Sequence, residues 1–234
     1  MFQFKQFTIQ QDRCAMKIGT DGVLLGAWCP VDHRPFSILD VGAGTGVIAL
    51  MLAQRSSAEQ IDAIEIEEEA YEQCVDNFEN SPWGDRLFCF HAGLDEFMEE
   101  PEDEYDLMVS NPPFYTDDYK SEDAARDLAR FADALPFEDL IEAASLLLSE
   151  NGVLAVIIPF KEEEAFVALA QEWELYPFQI TRVKGTPNSE IKRSLLAFSR
   201  TQKELSQDEL IIEMARHQYT DEYTALTKDF YLKM

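Results

Sequence analysis

The chain has 234 residues and 46% hydrophobic content, enough for one α/β domain with a large core and marginal for two. It holds no apolar run of about eighteen residues, so no membrane span is expected, and its four spaced cysteines and three scattered histidines form no zinc pattern. A formal net charge of −26, from 19 basic and 45 acidic residues, argues by itself against nucleic-acid binding, because phosphate contacts need cations.

The charge is uneven along the chain. Residues 1–39 are nearly neutral, and 59–106 carry eighteen acids against Arg86 alone. Residues 182–203 carry Arg182, Lys184, Lys192, Arg193, Arg200 and Lys203 against Glu190, a local +5. Gathered on one face, such an island would hold a polyanion while the rest of the surface repels it. The first residues, Met1-Phe2-Gln3-Phe4-Lys5-Gln6-Phe7, lack a basic stretch followed by an apolar core, so no signal peptide is expected. Reduced thiols, and with them a cytoplasmic location, are the default for this cysteine usage.

Ser37–Val41 reads as a buried strand, followed by the loop Asp40-Val41-Gly42-Ala43-Gly44-Thr45-Gly46 and a helix from Val47 to Gln54. Glycines at alternate positions let the backbone turn sharply and approach a ligand closely. The spacing is tighter than the dinucleotide fingerprint, and the loop has neither the Gly-Lys-Ser/Thr of a phosphate-binding loop nor any basic residue. A ligand without phosphates fits better. Asp40 suits a ligand ammonium group, directly or through water. The next strand, Gln60–Ile66, brings Glu65 nineteen residues after Gly46, where an acid accepts hydrogen bonds from both ribose hydroxyls. Ile66 is placed to cover a purine face. Ribose, a purine and a zwitterionic tail together describe S-adenosylmethionine.

Glu67–Asn80 reads as a helix and Leu87–His91 as a third strand. Tyr105–Ser110 is a fourth, and Asn111-Pro112-Pro113-Phe114 follows it directly. The Asn amide oxygen and the Pro112 carbonyl can both accept from one NH2 group. The prolines fix φ and restrict the residue before them, so these acceptors are held in place in advance. Phe114, with Tyr115 beside it, suits stacking on a flat ring. A helix opening at Pro136, a fifth strand at Gly152–Ile158, a helix over 161–174 and strands near 178–183 and 195–199 complete the pattern. Strands alternating with helices predict a doubly wound α/β fold with a mostly parallel seven-stranded sheet and an antiparallel last strand.

Asp40–Gly46 resembles motif I of the class I S-adenosylmethionine-dependent methyltransferases, and Asn111–Phe114 resembles motif IV of those that methylate amino groups. Met16–Trp28 is similar to the N-terminal signature of the bacterial tRNA1(Val) adenine-37 N6-methyltransferases, and Lys192–Leu196, Tyr219–Tyr223 and Leu226–Tyr231 resemble that family's tail. The resemblance covers nearly the whole chain. It implies one Rossmann-like domain over 1–234, with a cap segment at 1–36, a core at 37–200 and a C-terminal segment at 201–234. It implies methylation of a tRNA adenine by a monomer without a metal. Cofactor contacts would come from Lys17, Thr20, Asp21, Asp40, Gly42, Gly44, Gly46, Glu65, Ile66, Leu94 and Asn111. Asn111, Pro112, Pro113 and Phe114 would carry catalysis, and Phe114, Tyr115, Arg182, Lys184, Lys192 and Arg193 would meet RNA. The sequence departs from the wider class after the third strand, at His91-Ala92-Gly93-Leu94-Asp95, where either Asp95 or a backbone group near Gly93-Leu94 would bind the cofactor adenine.

The same Asn-Pro-Pro-aromatic step serves release-factor glutamine methyltransferases, which usually add an N-terminal helical domain and use Tyr. An rRNA guanine or DNA adenine methyltransferase is a further reading. A non-catalytic cofactor- or RNA-binding module is the reading from another class, and a turnover assay separates it.

Overall fold

A computed structural model describes residues 1–99, 104–113 and 135–234. Its centre is an eight-stranded sheet built from β3 (Ser37–Val41), β4 (Gln60–Glu65), β5 (Leu87–His91), β6 (Tyr105–Ser110), β7 (Leu148–Pro159), β8 (Tyr176–Lys184), β9 (Ile191–Ser199) and β10 (Ser206–Ile211). Outside it, β1 (Phe2–Gln3) pairs with β2 (Thr8–Ile9), and β11 (Glu213–Ala215) with β12 (Gln218–Tyr219). The helices are α1 (Thr20–Trp28), α2 (Val47–Arg55), α3 (Glu68–Glu79), the one-turn α4 (Leu94–Phe97), α5 (Phe137–Leu147), α6 (Glu163–Glu172) and α7 (Asp221–Thr227). Among the described residues no helix is long and apolar enough to cross a membrane.

The strand order is β10-β8-β9-β7-β6-β3-β4-β5, and only β9 runs against its neighbours. The mostly parallel, doubly wound sheet and its antiparallel strand follow the sequence pattern. The eighth strand, β10, is an addition. Its residues, Ser206-Gln207-Asp208-Glu209-Leu210-Ile211, are largely exposed and polar, as suits an edge strand that resists pairing with another chain.

The sheet separates two cores, and the strands show it residue by residue. Ile38, Leu107, Val109, Val153, Ala155 and Ile157 face one side, while Leu39, Met108, Leu154, Val156 and Ile158 face the other. Each of these side chains except that of Ala155 contributes roughly 1.5–3 kcal/mol relative to exposure. The first side is covered by α1, α2 and α3 and by the two ends of the chain, where Phe4 stacks on Phe7 at 4.6 Å and on Tyr231 at 5.9 Å. The second is covered by α5 and α6.

Local chemistry sets the ends of the elements near the site. In α3 the residues Ala70, Gln73, Cys74, Asn77 and Phe78 share the buried face, the three-and-four spacing of a helix. Helix α7 starts at Thr220, whose hydroxyl accepts the Tyr223 N–H at 3.1 Å. Because every strand but β9 points the same way, Val41, Glu65, Ser110, Pro159, Lys184 and Ile211 all lie at one edge of the sheet. The start of β9, at Ile191–Arg193, reaches that edge too.

Candidate active site

At the carboxyl edge, the reversal of strand order beside β3 opens the crevice in which doubly wound sheets bind ligands. The glycine loop crosses it. Gly42, Gly44 and Gly46 have φ of +75°, +54° and +75°, a region costly for any residue with a side chain. The N–H groups of Gly42 and Ala43 both donate to the Ile64 carbonyl, at 3.0 and 3.1 Å, which ties the loop to the end of β4. A Cβ on Gly42 or Gly44 would meet nothing within 4 Å, so these two border open space. On Gly46 it would stand 2.5 Å from the Phe78 ring and 2.9 Å from the Cys74 sulfur, so that glycine is also required by packing.

Glu65 is 8% exposed at the end of β4. One carboxylate oxygen accepts the Gly44 N–H at 2.7 Å and the other the Glu67 N–H at 3.0 Å. Each oxygen keeps a further lone pair for a ligand hydroxyl. Asp40 is fully buried, accepts the Ala49 N–H at 3.1 Å through Oδ2, and has no partner on Oδ1 among the described residues. Burial pushes its carboxyl up to about 7, opposed by the Ala49 N–H and assisted by the charge on Glu65.

Asn111 follows Ser110, which is paired in register with Val41, and the Ser110 hydroxyl donates to the Val41 carbonyl at 2.8 Å. The glycine loop and the Asn-Pro-Pro step therefore leave adjacent strands side by side. The Asn111 Oδ1 is buried and without a partner among the described residues, while Pro112 is buried and Pro113 half-buried. An orphaned acceptor of this kind costs free energy unless a ligand or water satisfies it. Phe114 and Tyr115 lie outside the described residues, as do Asp117, Asp118, Glu122 and Asp123.

Ile66 is 52% exposed, and its Cδ1 lies 3.5 Å from where a Cβ on Gly93 would stand. The Asp95 carboxylate folds back over Gly93, and the Leu94 side chain is buried in the second core. Ile66, Gly93 and Asp95 thus form one wall, and any ligand contact at Leu94 falls to its backbone.

The N-terminal candidates group differently. Lys17 and Thr20 are exposed. Helix α1 packs against the start of α2, where a Cβ on Gly22 would touch Val47 at 3.2 Å. Asp21 forms an ion pair with Arg193 at 2.7 Å, so a proposed cofactor residue and a proposed RNA residue meet directly. Among the basic candidates, Arg182 is committed to Glu163, with hydrogen bonds from 2.7 to 3.2 Å, and Glu163 also accepts from Ser194. Lys184 pairs with Glu209 at 2.8 Å. Lys192 is exposed and makes no ion pair among the described residues.

The Arg182 arrangement gives a stability prediction. Arg182→Ala leaves the Glu163 carboxylate, 8% exposed, without its cation, and is expected to cost about 1–3 kcal/mol. Urea denaturation checks it. A cost near zero would mean that water satisfies Glu163 as well as the guanidinium does.

One loop-positioning residue escaped the sequence reading. The Asn77 side chain donates to the carbonyls of Thr45 and Gln10, both at 2.9 Å, and accepts the Gln10 N–H at 2.8 Å, tying the glycine loop to α3 and to the N-terminal segment. Its signal was a polar residue on the buried face of a helix.

Residues 24–174 match the family model described as the methyltransferase small domain. The chain is 75% identical to the tRNA1(Val) (adenine(37)-N6)-methyltransferase of Flavobacterium johnsoniae and 74% identical to that of Flavobacterium psychrophilum, each covering 100% of both chains. Among solved structures, a protein of Agrobacterium tumefaciens described as a predicted O-methyltransferase superposes with a TM-score of 0.71 at 21% identity, over 90% of this chain and 96% of that one. That last likeness concerns the fold.

Proposed function

Because the chain belongs to the tRNA1(Val) (adenine(37)-N6)-methyltransferase family, we propose that it methylates N6 of adenine 37 in the anticodon loop of that tRNA. S-adenosylmethionine is its cofactor. The structure fits that cofactor at an orphaned buried acceptor, Asp40 Oδ1, and at two glycines that border open space, while a second orphaned acceptor, Asn111 Oδ1, is left for the substrate amine. The single observation that carries the reading is the unpartnered amide oxygen of Asn111, fixed beside the glycine loop.

Glu65 would hold the ribose hydroxyls and Asp40 the ammonium end, directly or through water. Ile66 would cover the purine, with Asp95 or the Leu94 backbone at its edge. Lys17, Thr20 and Asp21 would border the cofactor and the entering base. When bound, S-adenosylmethionine supplies a methyl group made electrophilic by its sulfonium. The protein's task is to position the amine. The N6 lone pair is delocalised into the adenine ring, and acceptors at Asn111 and the Pro112 carbonyl would draw its two N–H groups into a more tetrahedral, more nucleophilic geometry. The same acceptors would stabilise positive charge developing on nitrogen. Pro113 would keep the clamp rigid, and Phe114 and Tyr115 would stack on the extruded base. Unstacking is cheapest in a loop, which suits an anticodon loop better than a duplex.

Lys192 and Arg193, with Arg182 and Lys184 behind them, would offer the positive side of an otherwise acidic protein to the RNA. A cytoplasmic monomer, acting as a single unit over 1–234, completes the reading. Mass spectrometry of nucleosides from tRNA incubated with the protein and labelled S-adenosylmethionine tests it. Labelled N6-methyladenosine at position 37 is expected, and label on another base or on protein glutamine would overturn it.

Asp40 adds a pH dependence. Its folded carboxyl, at about 7, is raised above its unfolded value, so its contribution to the stability of the unliganded protein is full below about 4 and is lost as pH rises through 7. A cationic ligand needs the ionised form, so cofactor affinity is expected to rise roughly tenfold between about pH 5.5 and 7, before the ligand's own α-amino group loses its proton near 8. Calorimetry across pH checks this. In Asp40→Asn the rise should vanish, and a rise that persists there belongs to another group.

A further inference from the structure

A cavity of about 290 Å³ opens at the carboxyl edge of the sheet, between the start of α1, the end of β8 and the start of β9. Its apolar walls are Leu24 and Val183, both buried, and Ile212, half-buried. Its polar rim is the Asp21–Arg193 ion pair and the exposed Lys192. Resting on the tRNA reading, we infer that this cavity is a second nucleotide pocket, holding the nucleotide next to the target adenine.

Position is the first argument. β7 lies between β6, which presents Asn111, and β9, which carries Arg193 opposite Pro159. Two strand spacings, about 10 Å, therefore separate the Asn111 end of β6 from the strand that carries Arg193. An unstacked loop that delivers one base to Asn111 brings its neighbour to this distance.

Chemistry is the second. The volume is at the lower end for ligand pockets and suits one base, not a second whole cofactor. The apolar walls suit the faces of a flat ring. At the rim, the Asp21 carboxylate accepts ring or exocyclic N–H groups, the Arg193 guanidinium donates to ring acceptors, and the Lys192 ammonium suits the connecting phosphate. In a chain of net charge −26, general attraction to RNA is absent, so a few placed contacts must carry recognition.

The test uses the whole protein and synthetic anticodon stem-loops. Each nucleotide flanking the target is made abasic in turn, and kcat and KM are measured with wild-type protein. One abasic neighbour is expected to raise KM about tenfold, with kcat nearly unchanged. Ile212→Trp, which fills the cavity, should raise KM for the intact stem-loop similarly. It should add no further penalty with that abasic substrate, because both changes remove the same contact. Methylation without a KM penalty at either neighbour, or penalties that simply add in Ile212→Trp, overturns the pocket and leaves the substrate reading intact. Failure of wild-type protein to methylate any stem-loop overturns both. The abasic series needs no variant, so it stands whether or not Ile212→Trp folds.

Discussion

Asn111→Ala should keep S-adenosylmethionine affinity within about twofold and lower kcat by at least about a hundredfold, the scale on which one placed transition-state hydrogen bond acts. β6 ends at Ser110, whose hydroxyl is locked to Val41, so the Asn111 backbone cannot drift from the glycine loop. The two prolines that follow remove backbone freedom. The amide oxygen is then buried with nothing to bind among the described residues, a cost the fold carries in advance of substrate. Alanine removes this acceptor and touches neither Glu65 nor Asp40, which is why binding and turnover should separate. Asn111→Asp keeps an acceptor and should lose less. Calorimetry with the cofactor and a methyl-incorporation assay on tRNA measure the two quantities. Wild-type turnover in the alanine variant would remove Asn111 from the chemistry, and a joint loss of binding would make it a cofactor residue only.

The parts of this site that were legible in the sequence are those set by local backbone demands. Gly42, Gly44 and Gly46 announce left-handed φ values, and Asn111-Pro112-Pro113 announces a rigid strand exit. The sheet was legible for a similar reason, since the buried β3 carries Ile38, Leu39 and Val41 within five residues. Helix α1 was not, because Val23, Leu24, Leu25 and Ala27 are buried in succession and show no face that periodicity could detect. The charge island was legible as a count but not as a surface. Arg182, Lys184 and Arg193 are answered by Glu163, Glu209 and Asp21, the last 172 residues away in sequence. Pairing over that distance is a product of the fold, and of the six basic residues Lys192 and Lys203 keep the exposure that their sequence positions suggested.

Glu65→Ala should weaken S-adenosylmethionine binding about a hundredfold, which two lost charge-assisted hydrogen bonds of about 1.5 kcal/mol each would account for. In the unliganded protein this carboxylate already holds the Gly44 N–H and the Glu67 N–H, so it shapes the loop as well as offering lone pairs to the ribose. Alanine leaves the Gly44 N–H without its acceptor in a half-buried loop. Glu65→Gln preserves volume but loses charge, and its amide nitrogen cannot accept from either N–H, so it should fall only partly short of alanine. A third consequence separates this role from a general loss of structure. The charge on Glu65 helps to hold the Asp40 carboxyl up, so its removal should let that carboxyl ionise at lower pH. The rise of cofactor affinity with pH should then move to lower pH in Glu65→Gln, on top of the weaker binding. Calorimetry across pH reads both effects in one series. Weaker binding with the rise unmoved would mean that Glu65 and Asp40 do not feel each other, and unchanged binding would place the ribose elsewhere.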